Sequence, residues 1–108
     1  MTTLSEMHCA AGGQASALSD ADIKKNLGAL NGWEQIGKEI RKTFVFKNYY
    51  ETIAFVNASA WVSHHEDHHP DMSVHYNKCV VAYSTHDAGG ITLNDFICAA
   101  KLDVLLAN

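Results

Sequence analysis

The sequence predicts an α+β domain: a four-stranded antiparallel sheet with three helices packed on one face, in the order helix, strand, strand, helix, strand, strand, helix. Three observations predict it. Apolar residues recur at helical spacing in three separate stretches. Between them lie two stretches of period two, each interrupted by a turn signal, so each reads as a hairpin. At 108 residues the chain is long enough for one hydrophobic core and too short for two, and no internal repeat competes. Two hairpins joined by a helix pair into one antiparallel sheet.

Residues 1–17 show no sustained period and are rich in Gly, Ala and Ser, so a mobile tail is expected ahead of a single domain over 18–108. The first helix opens at Ser19, a good N-cap, with Asp20 and Asp22 in the first turn and Ile23, Leu27 and Leu30 on one face. Asn31-Gly32 supplies its stop. From Trp33 to Lys47 the period is two, with Ile40, Lys42, Phe44 and Phe46 on one side and Thr43 and Val45 on the other. The two strands meet near Gly37-Lys38. "NYYETIAFVNASAWVSHHEDHH" returns to helical spacing, with Tyr49, Ile53, Val56, Ala60 and His64 along one stripe and Phe55 and Val62 opposite. Trp61 reads as core. Pro70 ends this helix, because the residue before a proline is pushed out of the α region. "MSVHYNKCVVAYSTH" reads as a hairpin, Met72 to Tyr76 and Cys79 to Ser84, around Asn77-Lys78. After Ala88-Gly89-Gly90, Thr92 caps a last helix with Asp95 closing a capping box. Phe96, Ile97, Ala100 and Val104 line one side of it and Cys98, Leu102, Leu105 and Leu106 the other. Two helices with two apolar faces each predict self-association.

The totals exclude several function classes. Apolar residues make up 47% of the chain and charged residues 19%, the profile of a globular protein rather than a disordered one. A formal net charge of -4 gives no general attraction to phosphate backbones or anionic lipid, so neither nucleic acid nor membrane is expected as a partner. No stretch is long enough to span a bilayer, and the N-terminus lacks the charged start and apolar run of an export signal. Three cysteines, an odd number at wide spacing, favour a reduced cytoplasmic setting.

The chemistry concentrates in "HHEDHHP", residues 64–70. His65-Glu66-Asp67-His68-His69 satisfies the letters of the H-E-x-x-H zinc-protease motif. That motif needs a helix that continues past both histidines, and Pro70 directly after His69 prevents it. His64 and His68 form the alternative metal pair, with His75, His86 or Asp87 as nominated third ligands. The hairpin offers a different use. A two-residue loop at Asn77-Lys78 pairs Tyr76 with Cys79, Val74 with Val81, Met72 with Tyr83 and, by extension, His69 with His86. Paired α-carbons lie about 5 Å apart, so the downstream histidine returns beside the cluster. The negative end of the preceding helix and the acids Glu66, Asp67 and Asp87 favour imidazolium there. Imidazole ordinarily titrates at roughly 6.5, near where general acid–base catalysis is most effective. Such a site suits proton transfer to and from a small polar organic ligand.

The pattern His64-x-x-x-His68-His69-Pro70, then Tyr76-Asn77-Lys78, then Ser84-Thr85-His86, then Asp95 in the last helix, resembles the pterin-4a-carbinolamine dehydratases over about residues 18–106. The resemblance implies dehydration of 4a-hydroxytetrahydropterin to the quinonoid dihydropterin, a step that regenerates the cofactor of aromatic amino acid hydroxylases. By position it makes His68 and His86 the general acid and base, and His69 the histidine that binds and orients the pterin. The candidate catalytic residues are thus His68, His69 and His86. The candidate substrate-binding residues are Asp67, His68, His69, Ser84, Thr85, His86 and Asp87. The resemblance calls for no metal and no cofactor, and makes a hydroxylase the pathway partner of a homo-oligomer. The sequence departs from the family at His64, where an acid is common, and at Met72, where a tryptophan is common. Asp95 reads as a capping residue rather than a ligand. The rival to catalysis is a binding or dimerisation module that serves a transcriptional or hydroxylase partner through its Phe55/Val62 and Leu102/Leu106 faces.

Overall fold

Hairpin pairing builds the sheet. The computed structural model describes residues 3–11 and 14–106 of the chain. Strands β1 (Glu34–Ile36) and β2 (Glu39–Val45) pair antiparallel about Gly37, whose φ of 61° gives the turn a conformation that glycine adopts without strain. Strands β3 (Asp71–Val74) and β4 (Lys78–Tyr83) form the second hairpin, and β2 pairs with β4 to join the two in the order β1-β2-β4-β3. Ile40 and Phe44 of β2 and Cys79, Val81 and Tyr83 of β4 are buried on one face. Val45, on the other face, is 73% exposed, as period-two alternation requires when helices cover only one side.

Helix α1 (Asp20–Leu27) begins at Ser19, whose side chain accepts from the Asp22 N–H at 3.2 Å. It ends about one turn before the predicted stop at Asn31-Gly32, and Leu27 and Leu30 still pack on the core. Helix α2 (Tyr49–Glu66) starts from an Asn48 cap and buries Thr52, Phe55, Ser59 and Val62. The core stripe is therefore the Phe55/Val62 side, and Tyr49, Ala60 and His64 face outward. Trp61, predicted as core, is 67% exposed, because it falls one position away from that stripe. Helix α3 (Leu93–Leu105) carries the predicted capping box, with Asp95 accepting from the Thr92 N–H at 2.9 Å. Phe55, Val62, Phe96 and Leu102 fill the space between helices and sheet, and Phe44 and Phe55 lie 4.6 Å apart between ring centroids. Burying a side chain of this kind contributes about 2–3 kcal/mol. The Phe55/Val62 face and Leu102 consequently lie inside the domain, which removes them from the docking surface predicted above; Leu106 remains 45% exposed.

Two further differences bear on the site. The β3–β4 loop is Tyr76-Asn77 rather than Asn77-Lys78. Lys78 instead pairs with Val45 in the sheet, while the loop carbonyls of Asn77 and Tyr76 accept from Phe46 N at 2.8 Å and Thr52 Oγ1 at 3.1 Å. Val74 thus faces Cys79 and Met72 faces Val81, in place of the predicted partners. The shift moves each partner two residues along β4, which preserves the faces. Residues 3–11, expected to form a mobile tail, lie against α2 and α3: Lys101 Nζ donates to Ser5 O at 2.9 Å and Cys9 N donates to Glu66 Oε1 at 2.7 Å. This segment covers the Cys98 side of α3, one of its two apolar faces.

Candidate active site

The end of α2 sets the first wall. The helix stops at Glu66 because Asp67 turns left-handed, at φ 51° and ψ 43°. Asp67 is the only described non-glycine residue with positive φ, a conformation that aspartate tolerates better than most side chains. The backbone N–H of His68 then folds back onto Ser63 O at 3.2 Å. His68 is thereby turned inward, its side chain 13% exposed, while His69 remains exposed ahead of Pro70.

The end of β4 sets the second wall. Ser84 and Thr85 leave the strand, and a bridge between Thr85 and Gly90 closes a tight 3-10 turn, His86–Ala88, that ends at Gly89 with φ 72°. His86 and Asp87 are exposed at the tip of that turn. The N-terminus of α3 supplies the floor. Asp95 is completely buried, and its Oδ1 lies 2.6 Å from His68 Nε2. Its Oδ2 accepts from Thr92 N at 2.9 Å and from Thr85 Oγ1 at 3.0 Å, and Thr85 Oγ1 in turn lies 2.8 Å from Thr92 Oγ1. A buried carboxylate needs several donors to replace water, and Asp95 has them. Tyr83 packs its ring against His68, 5.8 Å between centroids and 13° from parallel. Burial pushes the Tyr83 hydroxyl well above the usual phenol range, with Cys98, Cys9 and Asp95 adding to it.

These walls enclose an open cleft of about 220 Å³. All seven predicted site residues, Asp67, His68, His69, Ser84, Thr85, His86 and Asp87, line it, together with Asp71 and Ala82. The His68 ring is fixed by Asp95 through Nε2, which leaves Nδ1 for a ligand. His69 and His86 make no side-chain hydrogen bond among the described residues and are free to turn toward one. Asp95 is the residue whose role at the site was missed. Reading it as a cap is correct, but a capping carboxylate uses one oxygen, and the other is what orients His68. Tyr83 gave no signal beyond its inward parity on β4, and Asp71 none beyond its closeness to His69.

The H-E-x-x-H letters do not act together. His65 lies on the exposed face of α2, its Nδ1 3.0 Å from Trp61 O and its ring tilted 38° against the indole, 3.8 Å between centroids. Glu66 turns to the N-terminal segment, and His69 lies beyond the helix end. Among the described residues no three His, Cys, Asp or Glu side chains are grouped to hold a metal ion.

The structure is thus a helix-covered antiparallel sheet that carries a polar, histidine-lined cleft where one helix C-terminus, one strand end and one helix N-terminus meet. The sequence model of the family described as "Pterin 4 alpha carbinolamine dehydratase" matches residues 16–105, and the chain belongs to that family. A protein of Chromobacterium violaceum named "Putative pterin-4-alpha-carbinolamine dehydratase" is 59% identical over 102 residues, covering 94% of each chain. A protein of the same name from Nitrosospira multiformis is 59% identical over 93 residues, covering 86% of this chain and 82% of its own. Among solved structures, a transcriptional coactivator/pterin dehydratase from Brucella melitensis superimposes with a TM-score of 0.81 at 28% identity, over 83% of this chain and 98% of the other. A pterin dehydratase-like protein identified as a RuBisCO assembly factor in the alpha-carboxysome gives a TM-score of 0.62 at 25% identity, over 72% of this chain and 93% of that one. Among the described residues no helix is long and apolar enough to cross a membrane.

Proposed function

We propose that the chain dehydrates 4a-hydroxytetrahydropterin to the quinonoid dihydropterin and water, using its own histidines and no metal or cofactor. One observation carries the reading: His68, bonded to the buried Asp95, stands on the wall of a cleft that His69 and His86 also line. With Nε2–H donated to Asp95, a neutral His68 presents the Nδ1 lone pair as a base for the N5 proton. His86, as imidazolium, gives its proton to the 4a-hydroxyl, which leaves as water while the C4a–N5 double bond forms. Solvent at the open cleft then returns the proton from His68 to His86. His69 binds and orients the ring, and Asp67, Asp87, Ser84 and Thr85 contact it or steady the imidazoles. Carboxylates on the rim accept from the N–H donors of the aminopyrimidine half of a pterin.

Stopped-flow decay of enzymatically generated carbinolamine tests this directly. His68→Ala and His86→Ala should each slow turnover by roughly 10²–10⁴-fold if they supply acid–base catalysis. Unchanged rates in both would defeat the assignment. We further place the activity in tetrahydropterin recycling beside an aromatic amino acid hydroxylase, in a reducing cytoplasm that suits the three free thiols, with the chain acting as a homo-oligomer.

A second reading draws on the neighbours, one named a coactivator as well as a dehydratase and the other an assembly factor. On that reading the chain is a non-catalytic binding or dimerisation module for a transcriptional or hydroxylase partner. A His68→Ala/His86→Ala double variant separates the two, because it abolishes dehydration and leaves the outer surfaces intact.

A further inference from the structure

The N-terminal segment is fastened to two element ends that also build the cleft. Glu66, the last residue of α2, accepts from Cys9 N at 2.7 Å and lies 2.9 Å from His8 Nδ1. Asn94, in the first turn of α3, accepts from Ala10 N at 2.9 Å and donates to Ala10 O at 3.2 Å. Between these anchors Cys9 Sγ lies 3.5 Å from Cys98 Sγ, the two residues being 89 positions apart in the chain. Cys98 is wholly buried, whereas Cys9 is half-buried and within reach of solvent. A disulfide needs sulfurs about 2.05 Å apart, so closing the bond takes a movement of about 1.5 Å, small for a surface segment.

We propose that Cys9 and Cys98 are a reversible dithiol–disulfide pair, a modification site at which a low-molecular-weight disulfide staples the N-terminal segment to α3 behind the cleft. The Cys9 thiolate attacks one sulfur of glutathione disulfide, forming a mixed disulfide and releasing one glutathione. Cys98 then attacks the Cys9 sulfur and displaces the second glutathione. Two protein thiols are oxidised, one glutathione disulfide is reduced, and the two thiol protons end on the two glutathiones released. Cys9 reaches solvent and Cys98 does not, so the first attack falls to Cys9; in the reduced pair the hydrogen bond with Cys9, then burial, then the charges of Cys9, Glu66 and Asp95 hold the Cys98 thiol up. The third thiol, Cys79, is buried in the sheet, where burial pushes it up as well. The staple ties the segment to the elements that carry His68, two residues after Glu66, and Asp95, next to Asn94.

The test uses the reduced full chain incubated with glutathione disulfide. Expected are a mass about 2 Da below the reduced chain, a Cys9–Cys98 cross-linked peptide, and a rise of roughly 10 °C in the unfolding midpoint that dithiothreitol reverses. Cys79→Ala should keep all three changes and Cys9→Ser should lose them. A chain that stays glutathionylated at Cys9 with Cys98 still reduced, a bond involving Cys79, or a cross-link that leaves the midpoint where it was would overturn the proposal.

Discussion

Asp95 serves two elements at once. One oxygen closes the first turn of α3, the other holds His68, and no water reaches either. Asp95→Asn keeps the shape and one acceptor but puts an amide where a second acceptor stood, so the hydrogen bond that fixes the imidazole tautomer is lost. Turnover should fall by about 10–100-fold with KM little changed, as when a partner that orients a reacting histidine is removed. Stability in urea should fall by about 1–3 kcal/mol, the range for a buried hydrogen-bonded charge. A variant that unfolds more easily but turns over at the normal rate would make Asp95 a cap only. Glu66 yields a prediction of a different kind. Burial pushes its carboxyl up, but the Cys9 N–H, then His8, then Lys101 together outweigh this and hold it below its ordinary value of 4.5. His8 is 82% exposed and screened by solvent, so the backbone N–H carries most of the effect. A carboxyl lowered in the folded state adds stability that is complete above about pH 4.5 and is lost as pH falls through the lower folded value. Glu66→Gln should therefore be less stable than the parent at neutral pH and converge on it in acid, a difference that denaturation at a series of pH values will read. At this scale the sequence announced the histidines and Pro70 plainly, because their types and spacing carry the chemistry. It did not announce the bond from His68 to Asp95, since a contact across 27 residues depends on how two elements meet.

Gly89 sets how His86 is presented. Its φ of 72° closes the 3-10 turn, and a Cβ placed there meets nothing within 4 Å, so any cost of substitution comes from the backbone alone. Gly89→Ala should lower stability by about 1 kcal/mol, the penalty for an L side chain in the left-handed region. Because the strain falls one turn from His86, carbinolamine dehydration should slow as well; equal rates in parent and variant would show that the turn does not govern the histidine. Elements were the most legible level. Two period-two stretches and three helical ones gave the sheet and its covering, and Ser19 and Thr92 marked two helix starts. The β3–β4 loop was misplaced by one residue because its partners, Phe46 N and Thr52 Oγ1, come from elsewhere in the chain. The error was harmless to the site. A move of two residues along β4 keeps every side chain on its face, and although the register now extends from His69 to Ser84 rather than His86, the strand end still brings Thr85 and His86 to the cleft that His68 lines.

For the molecule as a whole, the question is what covers the apolar surface left over. Amphipathic patterns show that a helix has a second apolar side, not what packs there. For α3 the answer is internal, since residues 3–11 lie over its Cys98 side. For α2 no described residue answers it. Trp61 is 67% exposed, Tyr49 48% and Tyr50 82%, so three large aromatic rings stand on a helix whose opposite side is fully packed. Uncovered aromatic rings on a helix otherwise packed into the core suit a contact site, and a second copy of the chain is the partner the self-association reading requires. The expected surface therefore moves from the buried Phe55/Val62 stripe to the outer face of α2. Trp61→Glu should reduce the mass found by sedimentation equilibrium toward that of one chain. It should leave the far-ultraviolet circular dichroism unchanged, because a side chain this exposed contributes little to the core. A parent that already sediments as one chain at every concentration would show that the α2 face is not used between copies. A variant that sediments like an associated parent would place the contact elsewhere, on the exposed apolar side chains of the sheet, Val45 and Val74 among them, or on Val104 and Leu106 at the end of α3.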